Sequence, residues 1–424
     1  MSRRKKQNAG PLDAYRAEIT RCVRCGSCSV VCPSFLADRR ESRSPRGRMA
    51  LIEAVLKNRL RISDVYQDRL ATCTTCQACE EACASGVPVT RIIAAAREQA
   101  VAEAGAGLLS KAVGSALRNE GVMSSLAWLA PVVLHYSRTA VMAPVSGPDL
   151  IKNSGAERSS LRVKQDKKAS ASRMKVAFFP GCAVRHFQKD LGESVVRVLE
   201  RFGFDVVIPE DLVCCGRPLL SLGDRTSSEE LAAKNNEVLS GLRVDAVVTA
   251  CASCSLTFKK EYPTLLAPSG AEAVRVLDIH EFLASHLDAV KFGPMDLRVT
   301  WHDPCHLGRG QGLARAARKL LTAVPGITLV EMKDPARCCG FGGVMRITHP
   351  AVSSAIGREK ARDIVRTKAS AVVTGCPGCM MQIRDALVRE GSNISVLHTL
   401  QVLEAALAIS DCRIRIAECV ETKV

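Results

Sequence analysis

Ten cysteines of this chain form a five-cysteine signature that occurs twice, and no other feature constrains the fold as strongly. In the first copy 31 residues separate Cys182 from the pair Cys214–Cys215, and 35 more lead to Cys251 and Cys254. In the second, 32 separate Cys305 from Cys338–Cys339, and 36 lead to Cys376 and Cys379. Each interval agrees to within one residue, so this region reads as an internal duplication with two similar lobes related by a pseudo-two-fold. Short apolar runs at 176–179, 205–208, 246–250, 297–301, 328–331 and 371–374 alternate with amphipathic stretches at 194–201, 228–242, 313–323 and 350–366. That alternation predicts α/β lobes with largely parallel strands.

Eight further cysteines lie near the N-terminus: Cys22, Cys25, Cys28 and Cys32 before Pro33, then Cys73, Cys76, Cys79 and Cys83. The first group follows the two-cluster ferredoxin spacing, in which three close thiolates hold one cubane and the distant fourth serves the other. Cys22, Cys25, Cys28 and Cys83 are therefore assigned to one 4Fe-4S site, and Cys73, Cys76, Cys79 and Cys32 to a second. Ala84 stands where a proline often follows the last cysteine, a turn-shaping position that is not a ligand. A pair of zinc knuckles competes with this reading, but two CxxC pairs would suffice for zinc, whereas each group here supplies a third and fourth cysteine at fixed offsets.

The remaining signals bound the function. A chain of 424 residues with 20 cysteines is far too long to need a disulfide scaffold. The formal charge of +16 and pI near 9.2 would suit nucleic acid or an anionic surface. Thiolate-bound clusters would offset much of it, and aromatics at 4% offer few stacking platforms, so no nucleic-acid partner is expected. The basic start, with Arg3 and Arg4, leads into Asp13, Arg16 and Glu18 without an apolar stretch for export. The longest apolar run, 122–134, contains Pro131 and is too short to span a bilayer; it reads as a buried or surface-lying helix. The expected location is cytoplasmic, at most peripheral at the inner face of the membrane. The polar, basic stretch 152–175 reads as a linker.

The expected fold is an α+β multidomain chain: an N-terminal all-helical two-cluster ferredoxin domain, then two α/β cysteine-rich lobes. Residues 1–110 would form the first, 111–174 a helical segment and basic linker, 175–292 the first lobe and 293–424 the second. His302 and His306, in His-Asp-Pro-Cys-His around Cys305, read as packing or capping side chains, with proton relay or donation toward a cluster as the alternative. Gly308, Gly310 and Gly312 do not have the spacing of a phosphate loop. Cys412 and Cys419 stand outside every motif and are expected to be unligated.

Three stretches together, RCVRCGSCSVVCP, SPRGRMALIEAVL and CTTCQACEEACASGVPV, resemble the iron-sulfur subunit of glycolate oxidase and related 2-hydroxyacid dehydrogenases. FFPGC, CCGRP, HDPCHLGRG, CCGFGG and TGCPGCMMQI are similar to the duplicated cysteine-rich domains shared by those subunits, heterodisulfide reductase and the anaerobic glycerol-3-phosphate dehydrogenase anchor subunit. The resemblance implies one further, non-cubane iron-sulfur cluster in each lobe. It would be held by Cys182, Cys214, Cys215, Cys251 and Cys254 in the first, and by Cys305, Cys338, Cys339, Cys376 and Cys379 in the second. Zinc or a conventional cluster in one lobe stays open beside it.

No FAD or NAD fingerprint and no catalytic triad-like grouping stands in the chain, so catalytic residues are not assigned and the expected role is electron transfer. The resemblance implies an oxidoreductase subunit that receives electrons from an FAD-containing 2-hydroxyacid dehydrogenase partner of glycolate or lactate type. It would pass them through the 4Fe-4S clusters to a quinone or other membrane acceptor. The alternatives are a catalytic subunit like that of heterodisulfide reductase and a subunit of the anaerobic glycerol-3-phosphate dehydrogenase type.

Overall fold

A computed structural model describes residues 10–105, 107–119, 121–123, 125 and 173–421. The basic N-terminal arm, most of the apolar run at 122–134 and nearly all of the expected linker lie outside these residues. The chain divides into two compact units. One comprises Met1–Ser115, Gly216–Glu229 and Gly340–Gly357; the other Ala116–Cys215, Glu230–Cys339 and Arg358–Val424.

In the first unit every described element is helical. Pro45–Leu56 starts where Ser44 accepts a hydrogen bond from Gly47 N at 2.8 Å, with Pro45 in the first turn, where its missing N–H costs nothing. This helix packs with Asp64–Ala71 and Val89–Ala104 around Met49, Ile52, Leu70, Ile92, Ile93 and Ala96. Two arginines are buried with them. Arg48 donates to Arg69 O and Thr72 Oγ1, both at 2.8 Å, and Arg97 donates to Leu70 O at 2.6 Å and Cys73 O at 2.8 Å. Both guanidiniums tie down the chain that enters the second cysteine group, at carbonyls around the end of the Asp64–Ala71 helix.

The two segments that follow the Cys-Cys pairs belong to this unit. Arg217 Nη2 donates to Thr75 Oγ1 at 3.0 Å, and His349 Nε2 lies 2.9 Å from Asp68 Oδ1. A Cβ on Gly223 would sit 2.5 Å from Arg97 O, so the first segment lies directly against the Val89–Ala104 helix.

The second unit holds two four-stranded parallel sheets. The strands are β1 (Lys175–Phe178), β2 (Asp205–Val207), β3 (Ala246–Thr249), β4 (Val276–Asp278), β5 (Leu297–His302), β6 (Ile327–Leu329), β7 (Ala371–Thr374) and β8 (Ser395–His398). Their orders, β2-β1-β3-β4 and β6-β5-β7-β8, are the same. The central strands β3 and β7 even share the sequence Ala-Val-Val-Thr, and β7 is buried along its whole length, as a strand covered on both faces should be. Six strands lie at the sequence-predicted places. β4 and β8 were not legible: each runs directly into a helix, Ile279–Ala284 and Thr399–Glu421, with no turn residues to mark it off, and pairing with β3 and β7 defines them.

Sheet order decides where the cysteines gather. In a parallel sheet whose order reverses beside the first strand, the crevice lies at the carboxyl ends of the two central strands. Cys182 and Cys251 follow β1 and β3, and Cys305 and Cys376 follow β5 and β7. The paired cysteines come from the loops after β2 and β6, at the same edge. The helix Thr399–Glu421 carries Cys412 and Cys419, whose side chains are outside the described set.

Candidate metal centres

In the helical unit the two CxxCxxC loops share an unusual backbone. The second residue after the first cysteine is left-handed in both, Arg24 at φ 55 and Thr75 at φ 53, and so is the residue after the second cysteine, Gly26 at φ 91 and Gln77 at φ 63. Left-handed non-glycine residues cost roughly 1 kcal/mol each, so the loops hold their shape against local preference. Cys22, Cys25 and Cys28 sit close enough to interact electrostatically. Burial pushes the Cys28 thiol up, opposed by hydrogen bonds that favour its thiolate.

Cys32, Cys73, Cys76 and Cys79 line one cavity with Pro33, Pro45 and Arg48. Burial raises the Cys32 thiol, and the Arg48 charge opposes the rise. Burial and then the neighbouring Cys73 and Cys76 raise Cys79. Backbone amides aim at these sulfurs, Thr75 N to Cys73 Sγ at 3.4 Å and Val87 N to Cys83 Sγ at 3.5 Å. Cys83 closes the short helix Ala78–Glu81, which packs against Ser27–Val30, the helix bearing Cys28.

In the second unit the lobes' thiols form an almost continuous series. Cys182 and Cys214 Sγ are 3.6 Å apart; Cys215 reaches Cys254, Cys254 reaches Cys251, and Cys251 meets Cys376 of the other lobe. Cys376 reaches Cys379, whose Sγ is 3.5 Å from that of Cys339. A disulfide needs about 2.05 Å, whereas sulfurs bound about 2.3 Å from one tetrahedral metal stand about 3.7 Å apart. Shared protons with Cys182 and Cys215, then burial, push Cys214 up. Cys376 goes the other way, held down by hydrogen bonds from Cys251 and Cys379. A crowded, dry thiol set of this kind favours cations that release its protons.

Close packing shapes these sites. A Cβ on Gly181 would lie 2.9 Å from Cys254 Sγ, and Gly340, at φ +92, would bring one within 2.7 Å of Ser353 O. The turn before Cys305 is fixed by Asp303, which accepts from Trp301 Nε1 at 2.6 Å and from both terminal nitrogens of Arg318 at 2.9 Å. The loop before Cys338 is held by buried Lys360, whose Nζ donates to Asp334 O at 2.7 Å and Pro335 O at 3.3 Å; burial lowers its pKa to about 8.

Sequence reasoning gave the histidines a packing role, and the structure divides them. His306 Nδ1 lies 2.9 Å from Ser253 Oγ, which is 3.7 Å from Cys376 Sγ, so it joins the two lobes. His302 is 1% exposed, and one of its ring nitrogens forms a compact group with Cys339 and Cys379, all three atoms within 4.8 Å of one another. Burial and the Lys360 charge lower His302 to about 3, which keeps the ring neutral. The contrast between His-Asp-Pro-Cys and the first lobe's Phe-Pro-Gly-Cys was the available signal.

Grouped thiols without disulfides, most of them buried and some with amides turned toward them, fit iron-sulfur chemistry; five per lobe exceed what a single tetrahedral zinc accepts. Comparison with known proteins agrees. Residues 18–87 match the 4Fe-4S dicluster domain, and 176–259 and 299–384 match the cysteine-rich domain. These features together define an iron-sulfur protein.

A subunit of the fumarate reductase (CoM/CoB) of Methanothermobacter marburgensis is 31% identical, over 91% of this chain and 72% of its own length. The probable glycolate oxidase iron-sulfur subunit of Bacillus subtilis is 29% identical over 92% and 94%. A subunit of the dihydromethanophenazine:CoB–CoM heterodisulfide reductase of Methanosarcina barkeri is 28% identical over 93% and 95%. The chain therefore belongs to the family of oxidoreductase iron-sulfur subunits in which a 4Fe-4S dicluster domain precedes duplicated cysteine-rich domains. Among the described residues no helix is long and apolar enough to cross a membrane.

Proposed function

We propose that this chain is the electron-transfer subunit of a glycolate- or lactate-type 2-hydroxyacid dehydrogenase. An FAD-containing partner oxidises the hydroxyacid, and this chain carries the electrons singly to a quinone or other acceptor, docking peripherally at the membrane. The ligand sets are those of the sequence reading: Cys22, Cys25, Cys28 and Cys83 for one 4Fe-4S cluster, Cys73, Cys76, Cys79 and Cys32 for the other, and five cysteines for a non-cubane cluster in each pseudo-two-fold-related lobe. Such clusters supply one-electron exchange with little change of shape. The protein's own part is to keep the sulfurs dry, aim amides at them and set buried cations, Arg48 and Arg97, beside the second group.

The observation that carries this reading is within the helical unit. Thr75, between Cys73 and Cys76, is hydrogen-bonded to Arg217, which follows Cys215 by two residues along the chain, while a Cβ on Gly342, three residues past Cys339, would touch Thr74. The segments that follow the two Cys-Cys pairs are thus both anchored, within the helical unit, on one cubane loop. Anaerobic co-purification should recover a flavoprotein, and glycolate or lactate should then bleach the iron-sulfur absorbance. Bleaching in wild type but not in Cys76→Ser, with dye reduction by the partner intact, supports the relay; full bleaching in that variant refutes it.

A second reading is favoured by the meeting of Cys251 and Cys376, which brings the two lobes' sulfurs together as a disulfide-cleaving centre would. Thiol-disulfide turnover by the purified chain, independent of any hydroxyacid, would select it.

A further inference from the structure

The lobes are alike in strand order and cysteine spacing, yet they differ at one buried position. The residue three before the first cysteine is Phe179 in the first lobe and His302 in the second. Phe179 is fully buried and meets Phe258 edge-on, with ring centroids 4.8 Å apart, a purely apolar solution. His302 is buried as deeply, but neither ring nitrogen has a hydrogen-bond partner. Pro335 O, the one backbone group that interacts with the ring as an acceptor, makes no well-formed hydrogen bond with it and already accepts from Asp303 N at 3.0 Å and Lys360 Nζ at 3.3 Å.

Burying an unsatisfied polar group costs about 1–3 kcal/mol, so a phenylalanine would be the cheaper occupant if packing were its whole task. The ring instead directs a nitrogen at two sulfurs. That nitrogen and the Cys339 and Cys379 sulfurs fall within 4.8 Å of one another, and the sulfurs are 3.5 Å apart. Ligand atoms around one tetrahedral iron, at about 2.0 Å for nitrogen and 2.3 Å for sulfur, stand about 3.5–3.7 Å apart, so the two sulfurs already have that spacing and the nitrogen, within 4.8 Å of both, needs at most about 1.3 Å of approach.

We propose that His302 is a direct nitrogen ligand of an iron in the second lobe, beside Cys339 and Cys379, so that the two lobes hold chemically unequal centres. The first is ligated by cysteine alone, the second by cysteine and histidine. Replacing thiolate by neutral imidazole raises a cluster's potential, as it does in Rieske centres. The second lobe is therefore the better electron acceptor of the two, and electrons that reach the first lobe run toward it. The inference rests on the reading that the second lobe carries an iron-sulfur centre.

The test uses the full chain, reconstituted anaerobically with iron and sulfide, prepared with natural-abundance and with 15N-labelled histidine. Samples are poised where the second-lobe centre is paramagnetic and compared by pulsed EPR. Wild type should show a strongly coupled nitrogen that changes isotope with the histidine label. His302→Phe, which copies the first lobe, should lose that coupling and keep the signals of the other centres; His302→Gln, which keeps a polar group there, should lose it as well. A redox titration should show the second-lobe midpoint moving down in both variants. Iron in the second lobe without a histidine nitrogen coupling, or a coupling that survives both substitutions, overturns the inference alone. Equal iron content in wild type and a variant with Cys305, Cys338, Cys339, Cys376 and Cys379 all changed to serine would show that the lobe holds no iron, and would overturn the underlying reading with it.

Discussion

Asp303 and Arg318 face each other in a two-pronged ion pair, each carboxylate oxygen 2.9 Å from a guanidinium nitrogen, and the carboxylate also accepts from Trp301 Nε1 at 2.6 Å. The pair fixes the turn between the end of β5 and Cys305. Asp303 is 6% exposed, so removing the arginine leaves a largely buried charge with one neutral donor.

Arg318→Ala should destabilise the second unit by about 2–4 kcal/mol, somewhat under the ~3–5 kcal/mol for a fully buried pair because the Arg318 side chain is 23% exposed. Arg318→Lys should recover only part of this, because an ammonium cannot bridge both oxygens. Chemical denaturation of the metal-free chain followed by near-ultraviolet circular dichroism measures both. A loss below about 0.5 kcal/mol in Arg318→Ala, the scale of an exposed pair, would show that the turn does not depend on the ion pair.

Gly340 and Gly312 are both left-handed, at φ +92 and +72, but only Gly340 is crowded. Gly312→Ala should cost about 1 kcal/mol, the backbone preference alone. Gly340→Ala adds a clash with Ser353 O, and backbone displacement there should also lower the iron retained by the second lobe. Paired melting curves and iron analysis compare them; equal losses in the two variants would contradict the crowding argument.

Gln77 occupies in the second cubane loop the place that Gly26 holds in the first, with φ 63 against 91. Gln77→Gly should therefore stabilise the helical unit by about 0.5–1 kcal/mol. A decrease in stability would mean that the glutamine side chain contributes more than its backbone strain costs.

Asp68 gives the helical unit an acid-sensitive contact. Burial would raise its carboxyl, but hydrogen bonds from His349 and Arg43 outweigh it and hold the group below its ordinary 3.8. A carboxylate depressed on folding stabilises above its unfolded value, and that stability is lost as pH falls through the lower folded value. The stability gap between wild type and Asp68→Asn should begin to narrow as pH falls below about 4 and should go on narrowing through the lower folded value. A gap unchanged at about pH 3 would exclude the linkage.

Chemistry and fold class were legible because they rest on short-range patterns. A thiolate cluster needs cysteines at offsets that one turn of backbone can satisfy, so Cys22, Cys25 and Cys28 declare themselves within seven positions. The duplicated spacing predicted paired α/β lobes because equal intervals between ligands demand equal scaffolds. Six strands were readable because their apolar runs must be buried whatever covers them.

Tertiary structure decided whatever depends on a partner far along the chain. β4 and β8 run straight into the helices Ile279–Ala284 and Thr399–Glu421, so no turn residue sets them apart, and pairing with the edges of β3 and β7 is what defines them. Arg48 and Arg97 look like surface cations until Arg69, Leu70, Thr72 and Cys73 turn their oxygens toward them. The segments after the two Cys-Cys pairs belong by sequence to the cysteine-rich domains, and only the fold adds their contacts with the helical unit, Arg217 with Thr75 and His349 with Asp68. His302 was a histidine beside a cysteine in sequence. Only the folded sheet buries its imidazole without a well-formed hydrogen bond and sets the Cys339 and Cys379 sulfurs beside it, a juxtaposition that local spacing cannot encode.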